Sequence, residues 1–380
     1  MKNKITFLLL HLGYGGIETA TINTANALSD KYEVELVSLY KLKINQENLI
    51  NKNVKIIHLY NGEPNKKEFL DCIKKFKIIN LFKESLKAIK IIYLKKKLIK
   101  KYIQSCNSKV IISTRWDFSV LLSKYKRENA IAVAQEHHYH NNNNKYINIL
   151  SNHYNNIDYL LALTDALKKD YEKFLCKNNY TKILVMPNMI VLPNKVISLK
   201  TKNVVSVGRL HEAKKIDDLI EIVSKSKNVD KFYIVGDGVE YKKLDKMINQ
   251  FNLADKIILT GYKNKFEIEE IYNNCSIFLM ASLTEGLPMV LLEAMSYGIP
   301  CIVFENGCSL SEIVEDNKNG YVILNRDKDK FSEKIDSLLD NEKLLKKFSD
   351  ASIKKAQCFS TKNIVKKWYG LIDTSFKKNC

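Results

Sequence analysis

Ser282-Leu283-Thr284-Glu285-Gly286-Leu287-Pro288-Met289-Val290-Leu291-Leu292-Glu293-Ala294-Met295-Ser296-Tyr297-Gly298-Ile299-Pro300 is the stretch on which the reading of this chain turns. An apolar run, Ile277-Phe278-Leu279-Met280, precedes it and reads as a buried strand. The stretch itself opens a helix with Pro288 in the first turn, where a missing N–H costs little. Strand, loop and helix then follow one another. One carboxylate, Glu285, stands in the loop and another, Glu293, about one turn inside the helix. Free amides of a helix's first turn, backed by the helix dipole, favour a phosphate. Carboxylates beside such a place accept hydrogen bonds from sugar hydroxyls. Two acids flanking an anion site point to a sugar nucleotide rather than a bare nucleotide, although two glutamates eight apart on a solvated helix would mean little alone.

Working outward, apolar strand candidates alternate with helical patterns in both halves. The first half offers Ile5–Leu10, Val34–Ser38, Val54–Leu59, Val110–Ser113, Ile131–Ala134 and Tyr159–Ala162. The second offers Asn203–Val207, Lys231–Val235, Lys256–Leu259, Ile277–Met280 and Cys301–Phe304. Helical spacing lies between them, as in Gly16–Leu28, Ile216–Ser224 and Tyr241–Phe251. Such alternation predicts an α/β protein with two doubly wound, mostly parallel sheets, whose ligands sit at the carboxyl ends of strands. Prolines at 187 and 193 interrupt the pattern and place a boundary there, giving domains 1–190 and 191–360 and a terminal segment 361–380.

Size agrees, since 380 residues suit two domains at about 150 each. No apolar run reaches the roughly 18 residues of a membrane span, and the opening Met1-Lys2-Asn3-Lys4 with Ile5 to Leu10 reads as a first strand, not a leader. Eight cysteines are scattered without a Cys-x-x-Cys pair, which suits a reduced, cytosolic protein without structural zinc. The net charge of +19 rests on lysine, with arginine only at 115, 127, 209 and 326. In so lysine-rich a chain an arginine suggests a need for a planar, bidentate donor. Arg209 and Arg115 are the two expected to matter; Arg127 and Arg326 lie in charged, loop-like surroundings and read as surface.

Further pieces stand in order along the chain. Gly15-Gly16-Ile17-Glu18 follows the first strand, Glu136-His137 follows Ile131–Ala134, and Pro187-Asn188 lies mid-chain. Then come Val207-Gly208-Arg209-Leu210 with Lys214, Gly236-Asp237-Gly238, Gly261-Tyr262, and Glu312-Ile313-Val314 with Gly320. With Glu285-x7-Glu293 and its Gly-Leu-Pro, this ordered set resembles the retaining glycosyltransferases of family 4 over nearly the whole chain. The resemblance implies the GT-B fold, two Rossmann-like domains facing each other across a cleft that holds the active site, with the last helix, about Thr361–Ser375, crossing back to the first domain. It implies that Arg209 and Lys214 clamp the donor's phosphates in place of a metal, that Glu293 binds the ribose hydroxyls, and that Glu285 lies at the donor sugar. His137 would assist at that sugar. Gly15, Gly16, Gly208, Gly261, Tyr262, Gly286 and the amides of Leu287, Met289 and Val290 complete the expected donor site. Lys215 stands where that family often has glycine.

The sequence also holds residues that suit other chemistries. His137, His138, His140 and His153 fall close together, beside an asparagine tract at 141–144 that reads as a loop, but no third ligand type accompanies them at zinc-like spacing. His138 is the rival of His137 for the catalytic position. Asp327-Lys328-Asp329 looks like a metal-binding Asp-x-Asp, yet it fits better as a helix cap before Phe331-Ser332-Glu333. No cofactor and no metal are expected.

Between Lys66 and Lys101 thirteen lysines accompany apolar residues at helical spacing: Leu81, Phe82, Leu86, Ile89, Ile92, Leu94, Leu98 and Ile99. This is either an ordinary helix with its stripe in the core or a patch for an anionic membrane surface, worth about 1 kcal/mol per lysine there. Nucleic acid is excluded by the scarcity of arginine and the lack of a binding motif. The expectation is a cytoplasmic, membrane-peripheral enzyme that moves a hexose or N-acetylhexosamine from a UDP-sugar to a lipid-linked or oligosaccharide acceptor in surface polysaccharide synthesis. The alternatives are a soluble transferase acting on protein or free sugar, a sugar-nucleotide epimerase, and a noncatalytic binding protein.

Overall fold

The structure is a computed structural model and describes residues 2–63, 78–137, 143–176, 178, 180–194, 197, 199–306 and 310–377. The chain divides into two compact units, 1–186 with 365–380, and 187–364. The borders expected at 190/191 and 360/361 lie a few residues from these.

Among the described residues the first unit is built on a parallel sheet of seven strands: β1 (Lys4–Leu9), β2 (Glu33–Tyr40), β3 (Val54–Tyr60), β4 (Val110–Ser113), β5 (Ile131–Gln135), β6 (Tyr159–Ala162) and β7 (Lys182–Val185). Their order is β3-β2-β1-β4-β5-β6-β7. The second unit holds a parallel six-stranded sheet of β8 (Val204–Val207), β9 (Phe232–Val235), β10 (Ile257–Gly261), β11 (Ile277–Met280), β12 (Cys301–Phe304) and β13 (Gly320–Ile323), ordered β10-β9-β8-β11-β12-β13. Unbroken apolar runs such as Ile277–Met280 and Cys301–Phe304 are wholly buried, as strands covered by helices on both faces must be. Every strand expected from sequence is present, and β7 and β13 are additional. Four residues with a charged or glycine start carry too little periodicity to be told from loop.

Both sheets are doubly wound. The chain builds outward from β8 to β10, then returns to the other side of β8 with β11. That reversal opens a crevice at the carboxyl ends of β8 and β11, the place where such sheets take ligands. Residues 365–377 of the helix Thr361–Lys377 complete the first unit. Trp368 is buried there against Phe7 of β1, ring centres 6.1 Å apart, and the Tyr32 hydroxyl donates to Asp373 at 2.6 Å.

Candidate functional site

In the second unit three loops meet at the carboxyl ends of β8, β9 and β10. Gly208 N–H donates to Val235 O, Leu210 N–H to Asp237 O, and Gly236 N–H to Gly261 O, all at 2.9–3.0 Å. Gly236 has φ +142°, and a Cβ on it would stand 1.9 Å from the Gly208 carbonyl oxygen. The Gly236-Asp237-Gly238 run is thus needed for loops to approach backbone to backbone. After Leu210, His211 caps a short 3-10 turn, Glu212–Lys214, and Lys215 follows at φ 49°, ψ 46°. Lysine therefore adopts here the left-handed conformation that glycine takes freely.

Lys214 lies over Gly208, its Cε 3.9 Å from where a glycine Cβ would be, and its ammonium forms an ion pair with the Glu285 carboxylate. The loops carrying them are tied directly, since Leu283 N–H donates to Ala213 O at 2.9 Å. Residues 71 apart in sequence thus meet where the strand order reverses. Arg209, in the same loop, is exposed, and its side chain has no ion pair among the described residues.

The helix after β11 spans Met289–Ser296, and Pro288 is its N-cap with ψ 99°, not part of its first turn. An extended ψ there turns the chain sharply out of the Ser282–Leu287 loop. Leu287 and Met289 are buried, Val290 is partly exposed, and Tyr262 is exposed beyond Gly261, whose φ is +70°. Glu293 sits in the second turn, and no side-chain hydrogen bond to it exists among the described residues. Burial pushes its carboxyl up to about 7, against the opposing charge of Lys265. The buried Tyr272 hydroxyl nearby, on which Glu293 acts electrostatically, also lacks a partner among the described residues. Polar groups held in low dielectric without partners suit binding to a polar ligand.

Arg326 is not a surface residue. Its guanidinium is partly buried, bonded to Asp218 and the Ala281 carbonyl, with Cζ 4.5 Å from the Phe304 ring centre. Sequence proximity to lysines and aspartates concealed this, because all three partners come from other strands and helices. Arg127 is exposed as expected, and Arg115 pairs with Asp117 at 3.2 Å. Asp327 caps the helix Lys328–Leu339 by accepting from Lys330 N–H at 2.9 Å.

The first unit carries the other candidates. Gly15 precedes the helix Gly16–Leu28, and the Glu18 carboxylate folds back to lie 2.3 Å from where a Gly15 Cβ would stand and 3.3 Å from His11. Around a Cβ on Gly16 no atom lies within 4 Å, so packing does not require glycine there. His137 is buried, at 7% exposure, two residues past β5. Beside it Glu136 is fully enclosed. Its carboxylate accepts from Tyr154 at 2.5 Å, Tyr146 at 2.8 Å and Ser119 at 3.3 Å. Burial raises its pKa despite these three bonds. The cage draws on the helix Trp116–Tyr125 and on the helix Asn144–His153 with its C-cap Tyr154, so spacing in sequence could not reveal it. His138, His140, Asn141 and Asn142 lie outside the described residues, whereas Asn143 caps the helix Asn144–His153. Among the described residues no group of three or more His, Cys, Asp or Glu side chains could hold a metal ion.

Residues 192–355 match the family described as glycosyl transferases group 1. The amylovoran biosynthesis glycosyltransferase AmsD of Erwinia amylovora is 31% identical over 266 residues, covering 67% of this chain and 74% of that protein. The chain belongs to this glycosyltransferase family. A Haemophilus influenzae glycosyltransferase is 26% identical over 380 residues, 97% of this chain and 99% of that one. The pneumococcal O-GlcNAc transferase GtfA, solved with UDP and GlcNAc, shares the fold at TM-score 0.79 and 17% identity over 99% of both chains. The glycosyltransferase therefore has the GT-B architecture of two Rossmann-like domains. Its Lys214–Glu285 pair and Glu293 fall within the matched residues.

Proposed function

We propose that this glycosyltransferase is a family 4 enzyme that moves a hexosyl or N-acetylhexosaminyl unit, with retention and without a metal, from a UDP-sugar to a lipid-linked glycan acceptor in surface polysaccharide synthesis. The observation that carries the reading is the Lys214–Glu285 ion pair at the strand-order reversal of one sheet, with Arg209 in the loop that carries Lys214 and Glu293 on the helix that follows the loop of Glu285. Fixed cations there stabilise the charge that grows on the leaving diphosphate, the part a metal plays elsewhere. In this reading Lys214 and Arg209 hold that diphosphate, Glu293 accepts from the ribose hydroxyls, and Glu285 orients the donor sugar with help from His137. Gly15 and Gly16 let backbone amides come near the donor. The acceptor oxygen forms its bond to the anomeric carbon on the face from which the diphosphate leaves. The acceptor's proton passes to the departing phosphate oxygen, so atoms and charge balance without a separate base.

A surface glycan is supported by the relative named for amylovoran biosynthesis. A membrane site is supported by the helix Ile78–Ser105. Phe82, Leu86, Ile89, Ile92 and Tyr93 are 53–67% exposed, while Ile91, Ile99 and Ile103 are buried. Exposed Lys83, Lys87, Lys90, Lys96 and Lys97 border that stripe. Among the described residues the core accounts for Ile91, Ile99 and Ile103 and leaves that stripe exposed, which suits something apolar beside negative charge, as at an anionic bilayer in the cytoplasm. Lys66 to Lys77 of the same basic segment lie outside the described residues.

The test is a panel of UDP-, GDP- and ADP-sugars incubated with metal-free protein, following nucleoside diphosphate release with and without membrane lipid extract. Release from one UDP-sugar, strengthened by lipid and lost in Glu293→Ala and Arg209→Ala, is the expected result. Consumption of donor without acceptor, converting one sugar nucleotide to another, would establish the epimerase instead.

A further inference from the structure

Asn325 and Arg326 follow β13 at φ 54° and 51°, two successive left-handed residues neither of which is glycine. Such a backbone is held only where surrounding contacts over-determine it. Here the contacts belong to the Arg326 guanidinium. One nitrogen, Nη2, donates to Asp218 Oδ2 at 2.5 Å and to the Ala281 carbonyl at 3.0 Å, while the planar group lies over Phe304. Each partner belongs to a different piece of the donor site's support. Asp218 is in the first turn of the helix Ile216–Lys225, directly after Lys214 and Lys215. Ala281 is the last residue before the loop Ser282–Leu287, which carries Glu285. Phe304 ends β12. One side chain therefore ties the segment bearing Lys214 to the segment bearing Glu285, behind the hydrogen bond from Leu283 N–H to Ala213 O.

We propose that Arg326 is a positioning residue of the donor site, fixing the separation of Lys214 and Glu285 from behind without touching the donor. The inference rests on the donor reading above. It also explains why arginine stands here in a chain that otherwise uses lysine. A lysine nitrogen could also donate to a carboxylate and a carbonyl, but it lacks the flat guanidinium that lies over the Phe304 ring while one of its nitrogens does so. Removing the guanidinium does not strand Asp218, whose Oδ1 also meets Lys328 at 2.7 Å. Burial pushes the Asp218 carboxyl up, but the bonds from Lys328 and Arg326 outweigh it and hold it below its usual range.

The experiment compares the full chain with Arg326→Gly and Arg326→Lys. Glycine relieves the left-handed backbone, so Arg326→Gly folds with a melting temperature near the native one. Two readouts are taken at matched folded fraction: amide hydrogen exchange of peptides covering 282–288, and kcat and KM for the nucleotide sugar. We expect exchange in that segment about tenfold faster and kcat about tenfold lower in both variants, with KM changed less, as befits a loop misplaced rather than a contact removed. A purely structural role would shift the melting temperature and leave kcat per folded molecule unchanged. Either readout within twofold of the native chain in both variants overturns the proposal. Should the native chain turn over no nucleotide sugar, it is the donor reading that fails, and the exchange measurement alone then decides the role of Arg326.

Discussion

Glu293→Gln should make the second unit more stable at pH 8.5 while abolishing donor use. Burial lifts the Glu293 carboxyl from an ordinary 4.5 to about 7, so between those values the native state keeps a proton that the unfolded chain has released. A state that binds the extra proton loses stability as pH rises, and the loss levels off above the folded pKa. At about 1.4 kcal/mol for each tenfold change in proton affinity, the cost at pH 8.5 has an upper bound of about 3.5 kcal/mol, reduced because Glu293 keeps some contact with solvent. Glutamine occupies the same volume and carries no such cost. The gain of the variant over the native chain should therefore be small at pH 4.5, grow through pH 5 to 7, and stay level above. Both tryptophans, Trp116 and Trp368, belong to the first unit, so their fluorescence would report the wrong half. Hydrogen exchange of peptides from β11 and the helix Met289–Ser296, with and without urea, reads the right one. Saturating UDP should stabilise the native chain through mass action and the variant far less. A variant whose advantage is the same at pH 5 and pH 8.5 would refute the burial argument. A variant that keeps UDP stabilisation would refute the ribose role.

Three other outcomes are expected. In Glu285→Gln the ammonium of Lys214 loses its carboxylate partner and is left for phosphate alone, so UDP should bind about tenfold tighter by calorimetry while turnover is lost; equal or weaker binding contradicts the competition. Glu136→Ala strands the enclosed hydroxyls of Tyr154 and Tyr146 and should cost about 2–4 kcal/mol in the first unit, against a smaller loss for Glu136→Gln, measured by tryptophan fluorescence in urea. Leu86→Ser with Ile89→Ser should abolish flotation with anionic vesicles and leave turnover on a short soluble acceptor unchanged; flotation equal to the native chain would assign the exposed stripe elsewhere.

Glu285 and Glu293 were legible because a strand, a loop and a helix start are local patterns, and the acids sit inside them. Lys214 was legible as a cation after a strand, but its pairing with Glu285 was not, since the two meet only when β11 returns beside β8. Pro288 moved by one position, from first turn to cap, because proline fixes φ and leaves ψ to its surroundings. Arg326 escapes a reading of the sequence for a related reason: its neighbours in sequence are charged and solvated, whereas its contacts lie 108 residues away at Asp218, 45 away at Ala281 and on Phe304 at the end of β12. Glu136 is legible in sequence only as the companion of His137, because its partners Ser119, Tyr146 and Tyr154 come from two helices on either side of it in the chain.

Runs of branched and aromatic residues, broken at regular intervals, fix strands, helices and their alternation, because backbone conformation follows from side chains within a few positions of each other. So the sequence by itself determined that this is a two-unit α/β chain with acids and cations after its strands. The crossover that sets β11 beside β8 is a property of the whole sheet. It alone decided that Lys214 faces Glu285, that Glu293 is enclosed enough to hold its proton near neutrality, and that an arginine from the end of β13 supports them, because burial and electrostatic coupling arise only between groups the complete fold brings within a few ångströms.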